Sequence, residues 1–568
     1  MDFVGKEAQA LFEGRYWTKR YPPGIEAALP PSPYASVLDV LQHALRDFAQ
    51  RPAFVSAGVA VTYREVDELS NRFAAYLHSI GVKAQDVVAI MLPNCVQFPV
   101  CCIGALKLGC RLTLINPLYT VRELSHQLKD SGAMAVVVFE NFGKTVEQSL
   151  EGTQVQHIVT TQLGDLLGVK GHAINFLMRY VKKLVPKYHL PQAVSMKSAL
   201  STGKQQGGYP HAKPQLNDVL MLQYTGGTTG VSKGAMLTHR NVLSNIEQLE
   251  IWKRVVIGTE PITLVTLLPL YHIYALVVNG FLFMTLGARN ILIANPRDVP
   301  TVLKVLRNER FHVFTAVNTL FNAFLNNAEF CQRDFSDLKL VLSGGMALQK
   351  PIAKQWFDVT GCPISEGYGL TETSPVVTAP PLHGEPLPVF RGCVGLPLPG
   401  TEVRIRRNDG LWGGVNEVGE VCVRGPQVML GYLNRPDDTA QVLDAQGWLA
   451  TGDIGTMDEE GFLRIVDRKK DMIIVSGFNV FPNEVEDIVA QHPDVLECAV
   501  VGVPDPLSGE RVKLVVVKKR DTLTQDELIA HCRQQLTGYK VPSIVVFCED
   551  LPKTTVGKVL RRALREAV

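Results

Sequence analysis

The chain has 568 residues, enough for roughly three to four ordinary domains or for one large core with a smaller companion. Hydrophobic residues make up 46% and charged residues 20%, which excludes a mainly disordered, collagenous or coiled-coil protein. Lys plus Arg number 57 against 55 Asp plus Glu, so bulk charge gives no reason for a nucleic-acid partner.

The first residues, MDFVGKEAQALFEGRYW, contain acids and no apolar stretch followed by a cleavage site, so no signal peptide is expected. Residues 87–92 (VVAIML) and 134–139 (MAVVVF) are predicted buried strands. Residues 98–108 between them form a helix, with Pro99 in its first turn. Strands alternating with helices predict parallel βαβ units. Residues 173–189 (AINFLMRYVKKLVPKYH) carry Ile174, Leu177, Met178, Val181 and Leu184 at helical spacing, beside Arg179, Lys182, Lys183 and Lys187. Such a basic amphipathic helix suits either an anionic membrane surface or a solvated face docked on the core. Residues 201–217 (STGKQQGGYPHAKPQLN) are predicted to be a linker, and a second α/β unit follows to about residue 380.

Residues 264–286 (LVTLLPLYHIYALVVNGFLFMTL) are long enough to cross a bilayer, but Pro269, His272 and Asn279 interrupt them. A strand, a loop and a buried helix are expected instead. A Gly- and Pro-rich region with short β-like runs extends to about 466. The last hundred residues read as α+β, with helices at 485–491 and 525–536 and strands at 496–503 and 513–518. The predicted class is therefore α/β. A large N-terminal domain, residues 1–466, holds two α/β sheets and a β-rich subdomain, and a small α+β domain spans 467–568. The eleven Cys are scattered without a C-x-x-C, which argues against disulfides or structural zinc and for a reducing cytoplasm.

Residues 224–234 read YTGGTTGVSKG, after an apolar run and before a helical pattern at 242–249. A Gly/Thr-rich turn exposes backbone N–H groups and hydroxyls, and Lys233 adds a positive charge, which makes a phosphate cradle. It is not a Walker A loop, because Ser232 precedes Lys233 and Gly234 follows it.

YTGGTTGVSKG resembles the phosphate loop of the adenylate-forming superfamily of acyl-CoA synthetases, luciferases and peptide-synthetase adenylation domains. Further stretches similar to that family follow in order: PLYHI at 269–273, SGGM at 343–346, EGYGLTE at 366–372 and TGD at 451–453. After them come DRKKD at 467–471, SGFNVFP at 476–482 and PKTTVGKVLRR at 552–562. The resemblance covers nearly the whole chain. The run 447–472 is similar to the fatty acyl-CoA synthetase branch.

The resemblance implies two half-reactions. A carboxylate attacks the α-phosphate of ATP to give acyl-AMP and pyrophosphate, and the thiol of coenzyme A then displaces AMP. An anion meeting a polyanion needs positive charge and positioning more than a base. The expected phosphate grip is Thr225, Gly226, Gly227, Thr228, Thr229, Gly230 and Lys233. Glu372 and Thr225 would hold Mg²⁺, and Thr371 would bond the α-phosphate. Gly344, Gly345, Glu366, Gly367 and Tyr368 resemble the adenine pocket. Asp453 resembles the carboxylate that accepts the ribose hydroxyls, and Arg468 a further ribose contact. His272 would lie beside the acyl carboxylate, and Lys558 would reach over it and the α-phosphate.

By the same resemblance the C-terminal domain is mobile and pivots at Lys470, and a strip containing Gly477 lines the coenzyme A tunnel. The chain departs from many relatives at Ile474, where a Lys is common, and no role is carried over to it. Residues 277–286 and 318–325 are candidate walls for the acyl group, though plain core is the alternative reading. The implied substrate is a long-chain fatty acid, feeding fatty-acid degradation or lipid synthesis, at peripheral contact with a membrane. A homodimer stays open. A medium-chain or aryl acid with the same chemistry is the near alternative, and a non-catalytic uptake or scaffold protein the remote one.

Overall fold

The computed structural model describes residues 12, 14–225, 231–257, 260–382, 390–554 and 557–566, with the side chains of 254, 255 and 566 left aside. Gly226, Gly227, Thr228, Thr229 and Gly230 therefore lie outside the described residues.

Two large sheets form the N-terminal body. In the eight-stranded sheet, Val87–Met91 runs parallel to Arg111–Leu114 on one side and Ala133–Phe139 on the other. Val87–Met91 and Ala133–Phe139 are apolar throughout because helices cover both faces. The predicted strands at 87–92 and 134–139 and the helix at 98–108 are all present, the helix as Gln97–Lys107. Val219–Thr225 lies parallel to Arg111–Leu114 and turns back as the antiparallel strand Lys233–Thr238. The nine-stranded sheet has a parallel centre that includes Thr263–Thr266, Val313–Ala316, Leu340–Gly344 and Ile364–Gly369.

The apolar stretch at 264–286 resolves as expected. The strand Thr263–Thr266 is followed by a turn and the fully buried helical segment Ala275–Leu282. Among the described residues no helix is long and apolar enough to cross a membrane.

Two expectations need correction. Residues 201–205 are not linker but the end of the helix Met196–Gln205, capped by Ser195, whose side chain accepts from Ser198 N. Gly203 sits so close to the helix Tyr63–Ser79 that a Cβ would stand 1.9 Å from Arg72 O. The glycine marks a close helix crossing rather than a flexible joint. The basic segment is also shorter than its pattern. Gly168–Phe176 is α-helical, Leu177–Val181 is a wider turn of π type, and helix ends there, ahead of Pro186.

The β-rich region is a four-stranded antiparallel sheet of Glu402–Arg406, Gly419–Arg424, Leu449–Met457 and Leu463–Arg468. The boundary expected between 466 and 467 falls within its last strand. The next sheet starts at Ile473 and is built around the long hairpin Val495–Asp505 and Gly509–Lys518. Its core gathers Ile473, Val485, Val500, Leu514 and Leu528. The helices Pro482–Val489 and Gln525–Arg533 supply two of those side chains.

Candidate functional site

The strands Val219–Thr225, Leu340–Gly344 and Ile364–Gly369 end at one cleft of about 2430 Å³. A parallel sheet opens its ligand crevice at the carboxyl ends of its strands. Thr225, Lys233, His272, Gly344, Gly345, Glu366, Gly367, Tyr368, Thr371, Glu372, Asp453, Arg468, Lys470 and Lys558 all line it. Gly477 does not. It stands at the tip of the hairpin joining Ile473–Val475 to Phe478–Val480, with φ +84° and nothing within 4 Å of its missing Cβ.

Thr225 and Lys233 face each other in the hairpin register, on either side of residues 226–230 in the chain. Lys233 Nζ pairs with Asp438 at 2.7 Å and lies 5.2 Å from the centre of the Tyr432 ring. Tyr432 Oη in turn donates to Glu372 Oε1 at 2.7 Å. Neither Tyr432 nor Asp438 is visible in a local motif. The short strand Gly431–Tyr432 reaches the site only by pairing with Ala235 and Met236.

Gly344 and Gly367 are register partners on adjacent parallel strands. A Cβ on Gly344 would meet Tyr274 Cζ at 3.3 Å, and one on Gly367 would meet Thr378 O at 3.3 Å. Bare backbone at both positions leaves a flat slot. Glu366 Oε1 accepts from Leu348 N at 2.9 Å, which ties the turn after Gly345 to this strand, and burial pushes its carboxyl up to about 8. Tyr368 Oη donates to Asp453 Oδ2 at 2.6 Å. Burial, then Asp453, holds the phenol well above its ordinary range. Asp453 stands opposite Arg468 in the antiparallel register, and Arg468 Nε lies 3.4 Å from its other oxygen. A nearly buried carboxylate between a phenol and a guanidinium is held in a fixed orientation.

His272 follows the turn at Pro269 and precedes the buried helical segment. Tyr274 N donates to its Nδ1 at 3.3 Å, which places the ring proton on Nε2. Burial, then the Lys558 charge, lowers its pKa to about 3, so the imidazole is neutral.

Lys558 arrives from the other domain. Gly557, at φ +84°, carries the chain past the helix Asn318–Leu325, where Thr319 Oγ1 lies 3.4 Å from Gly557 O. Arg297 donates to Thr554 O at 2.9 Å and Asn322 to Leu496 O at 3.1 Å, further links between the two bodies. A Cβ on Gly345 would lie 3.6 Å from Lys558 Cε, so the side chain crosses the glycine turn. Burial, then Arg468, lowers its pKa to about 8. Lys470 acts in the same direction, and Asp453 and Glu372 act against it.

The candidate acyl walls contribute less than expected. From 318–325 only Asn318, Thr319 and Asn322 line the cleft. Phe321, Phe324 and Leu325 belong to a separate core. Of 277–286 only Val278 lines it. Both stretches read apolar because they are core.

The family profile described as AMP-binding enzyme matches residues 41–433, and that described as AMP-binding enzyme C-terminal domain matches 484–558. The long-chain-fatty-acid–CoA ligase of Yersinia pestis is 51% identical over 556 residues, covering 97% of this chain and 98% of its own. A ligase of the same description from Bacillus subtilis is 36% identical, covering 97% of each chain. Among solved structures, the anthranilate CoA ligase AuaEII in complex with anthranoyl-AMP superposes with a TM-score of 0.83 at 25% identity, over 96% of this chain and 99% of that one. ATP-bound MatB from Rhodopseudomonas palustris gives 0.77 at 28% identity, over 94% and 98%. On these matches over nearly its full length, the chain belongs to the AMP-binding enzyme family.

Proposed function

We propose that this enzyme activates a long-chain fatty acid in two steps, first to acyl-AMP with release of pyrophosphate and then to acyl-CoA with release of AMP. The observation that carries the reading is Lys558, placed in the cleft among Asp453, Arg468, Glu372 and His272. The likeness to long-chain-fatty-acid–CoA ligases supports the choice of acid.

The lining of the cleft supports the following roles. Gly344, Gly345, Gly367 and Tyr368 shape a slot for a flat base, and Asp453 and Arg468 hold the ribose. Thr371 and Lys233 meet phosphate oxygens. His272, neutral and with its proton on Nε2, donates to the acid without taking its charge. Lys558, protonated, brings acid and α-phosphate together and stabilises the negative charge gathering between them. Glu372 and the Thr225 hydroxyl offer hard oxygen ligands that fit Mg²⁺, with phosphates completing its shell. Such an ion would supply neutralisation of phosphate charge. The coenzyme A strip at Gly477 lies away from the cleft, which suits a domain of residues 467–568 that turns at Lys470 before the second step.

The test is pyrophosphate release with acids graded from about six to eighteen carbons, with and without coenzyme A. Each buried CH₂ contributes roughly 0.8 kcal/mol, so a chain-length optimum is expected. Release that rises toward the long acids, with thioester only when coenzyme A is present, is the expected result. Preference for medium-chain or aryl acids would overturn the substrate, and no release with any acid would overturn the chemistry.

A further inference from the structure

The helical segment 168–181 docks by one face and leaves a second apolar face in solvent. Its inward residues are Gly171, Ile174, Asn175, Met178 and Arg179, buried or half-buried. Gly164 N donates to Asn175 Oδ1, and Arg179 pairs with Glu140. The opposite face is apolar too. Phe176 is 61% exposed, Tyr180 62%, Val181 61% and Val169 89%, with Leu177 and Leu184 also exposed. The Phe176 and Tyr180 rings stand 5.2 Å apart, so the face is continuous rather than scattered. The sequence pattern placed Ile174 and Met178 on the same stripe as Leu177 and Val181. The structure separates them, Ile174 against the core and Met178 half-buried beside it, with Leu177 and Val181 in solvent.

The flanks are basic. Residues 168–187 contain Lys170, Arg179, Lys182, Lys183 and Lys187 and no Asp or Glu. Arg179 is taken by Glu140, and Asp298 lies near enough to Lys182 for its carboxyl to be lowered, chiefly by Thr301 and in lesser part by Lys182 and Lys304. Lys170, Lys183 and Lys187 are exposed around the apolar face. A contiguous run of exposed apolar side chains, rather than scattered single ones, marks a docking site. Aromatic rings with a polar tip, aliphatic side chains beside them and a ring of lysines match the depth profile of a bilayer surface with anionic headgroups.

We propose that the face formed by Val169, Phe176, Leu177, Tyr180, Val181 and Leu184, with Lys170, Lys182, Lys183 and Lys187 around it, seats the enzyme on a membrane surface carrying anionic lipid. The apolar side chains enter the headgroup–acyl boundary, and the lysines meet lipid phosphates. Its purpose, access to an amphipathic acid held in the membrane, rests on the ligase reading. The binding itself does not.

The test is sedimentation of the full chain with vesicles of phosphatidylcholine alone or mixed with phosphatidylglycerol, at low and high salt. The variants are Phe176→Ser/Leu177→Ser/Tyr180→Ser and Lys182→Glu/Lys183→Glu. The substituted side chains are exposed, so folding is retained, which turnover of a short dissolved acid checks separately. The parent should bind the anionic vesicles and lose that binding in salt. Each variant should weaken it by ~tenfold or more at unchanged turnover of the dissolved acid. Equal binding by parent and both variants would overturn the assignment. So would a parent that ignores vesicles and sediments as a dimer that the apolar variant dissolves, which would make the face a self-association surface.

Discussion

Lys558 and His272 share a water-poor corner of the cleft, and each is biased toward neutrality there. In the proposed roles this suits His272, because a neutral ring can donate to a carboxylate and cannot protonate it, whereas Lys558 would have to be charged. Its pKa, lowered to about 8 by burial, Arg468 and Lys470, puts the loss of that charge inside the accessible pH range. In substrate-free enzyme the ammonium is present below about 8 and is lost as pH rises through it. The kcat/KM for pyrophosphate release should therefore fall above about pH 8, by about tenfold per unit. Lys470→Gln removes one positive neighbour and should move that limb to higher pH. A limb that stays near 10 in the parent, or does not move in the variant, would contradict the placement. The motif around Lys558 was legible in sequence, whereas its burial beside Arg468 and Lys470 was not. That depends on how two sheets meet, and no local pattern encodes it.

At the scale of elements, the arm bearing Lys558 is held by a charge cluster whose pairing no motif announces. Arg561, three residues on, reaches Asp467 at 3.3 Å, both oxygens of Glu486 at 2.9 Å and Asn483 Oδ1 at 2.9 Å. Asp467 is itself buried and accepts from Asn483 N at 2.9 Å. The cluster ties the last strand of the four-stranded sheet to the first C-terminal helix and to the arm. Burial raises the Glu486 carboxyl to about 7, against the pull of Arg561. Arg561→Ala would strand two buried carboxylates, a cost of about 3–5 kcal/mol that thermal unfolding should report. Arg561→Lys keeps a charge without the fork. It should retain most of the stability while slowing acyl-AMP formation, with little change in KM for ATP, because Lys558 is then less firmly placed. Equal loss in both variants would reduce Arg561 to a structural role. Helix and strand positions were largely readable because buried parallel strands are apolar throughout and Pro99 marks a first turn. The misread elements share one cause. At Gly203 and at 168–181 the deciding contact is with a distant element, and a glycine or an apolar residue looks the same in sequence whichever way it faces.

For the whole molecule, the structure shows one arrangement of two bodies, with Lys558 inside the cleft and Gly477 outside it. On the proposed reading both half-reactions use one cleft through a second arrangement, with Lys470, between the last strand of one sheet and the first of the next, as the proposed pivot. Proline there fixes φ near −65° and removes a donor. Lys470→Pro should release pyrophosphate in a single turnover and form little acyl-CoA. Acyl-CoA made from supplied acyl-AMP at the parent rate would place the pivot elsewhere. The small α+β unit was legible in the pattern of the last hundred residues, while the docking contacts, Arg297 to Thr554, Thr319 to Gly557 and Asn322 to Leu496, were not, since polar side chains carry no mark of their partners. The most direct test of the central claim, that the docked lysine drives adenylation alone, is rapid-quench measurement of each half-reaction in Lys558→Ala. Acyl-AMP formation should fall by about two to three decades, the scale of losing one preorganised charge, while thioester formation from supplied acyl-AMP survives. An equal fall in both half-reactions would contradict it.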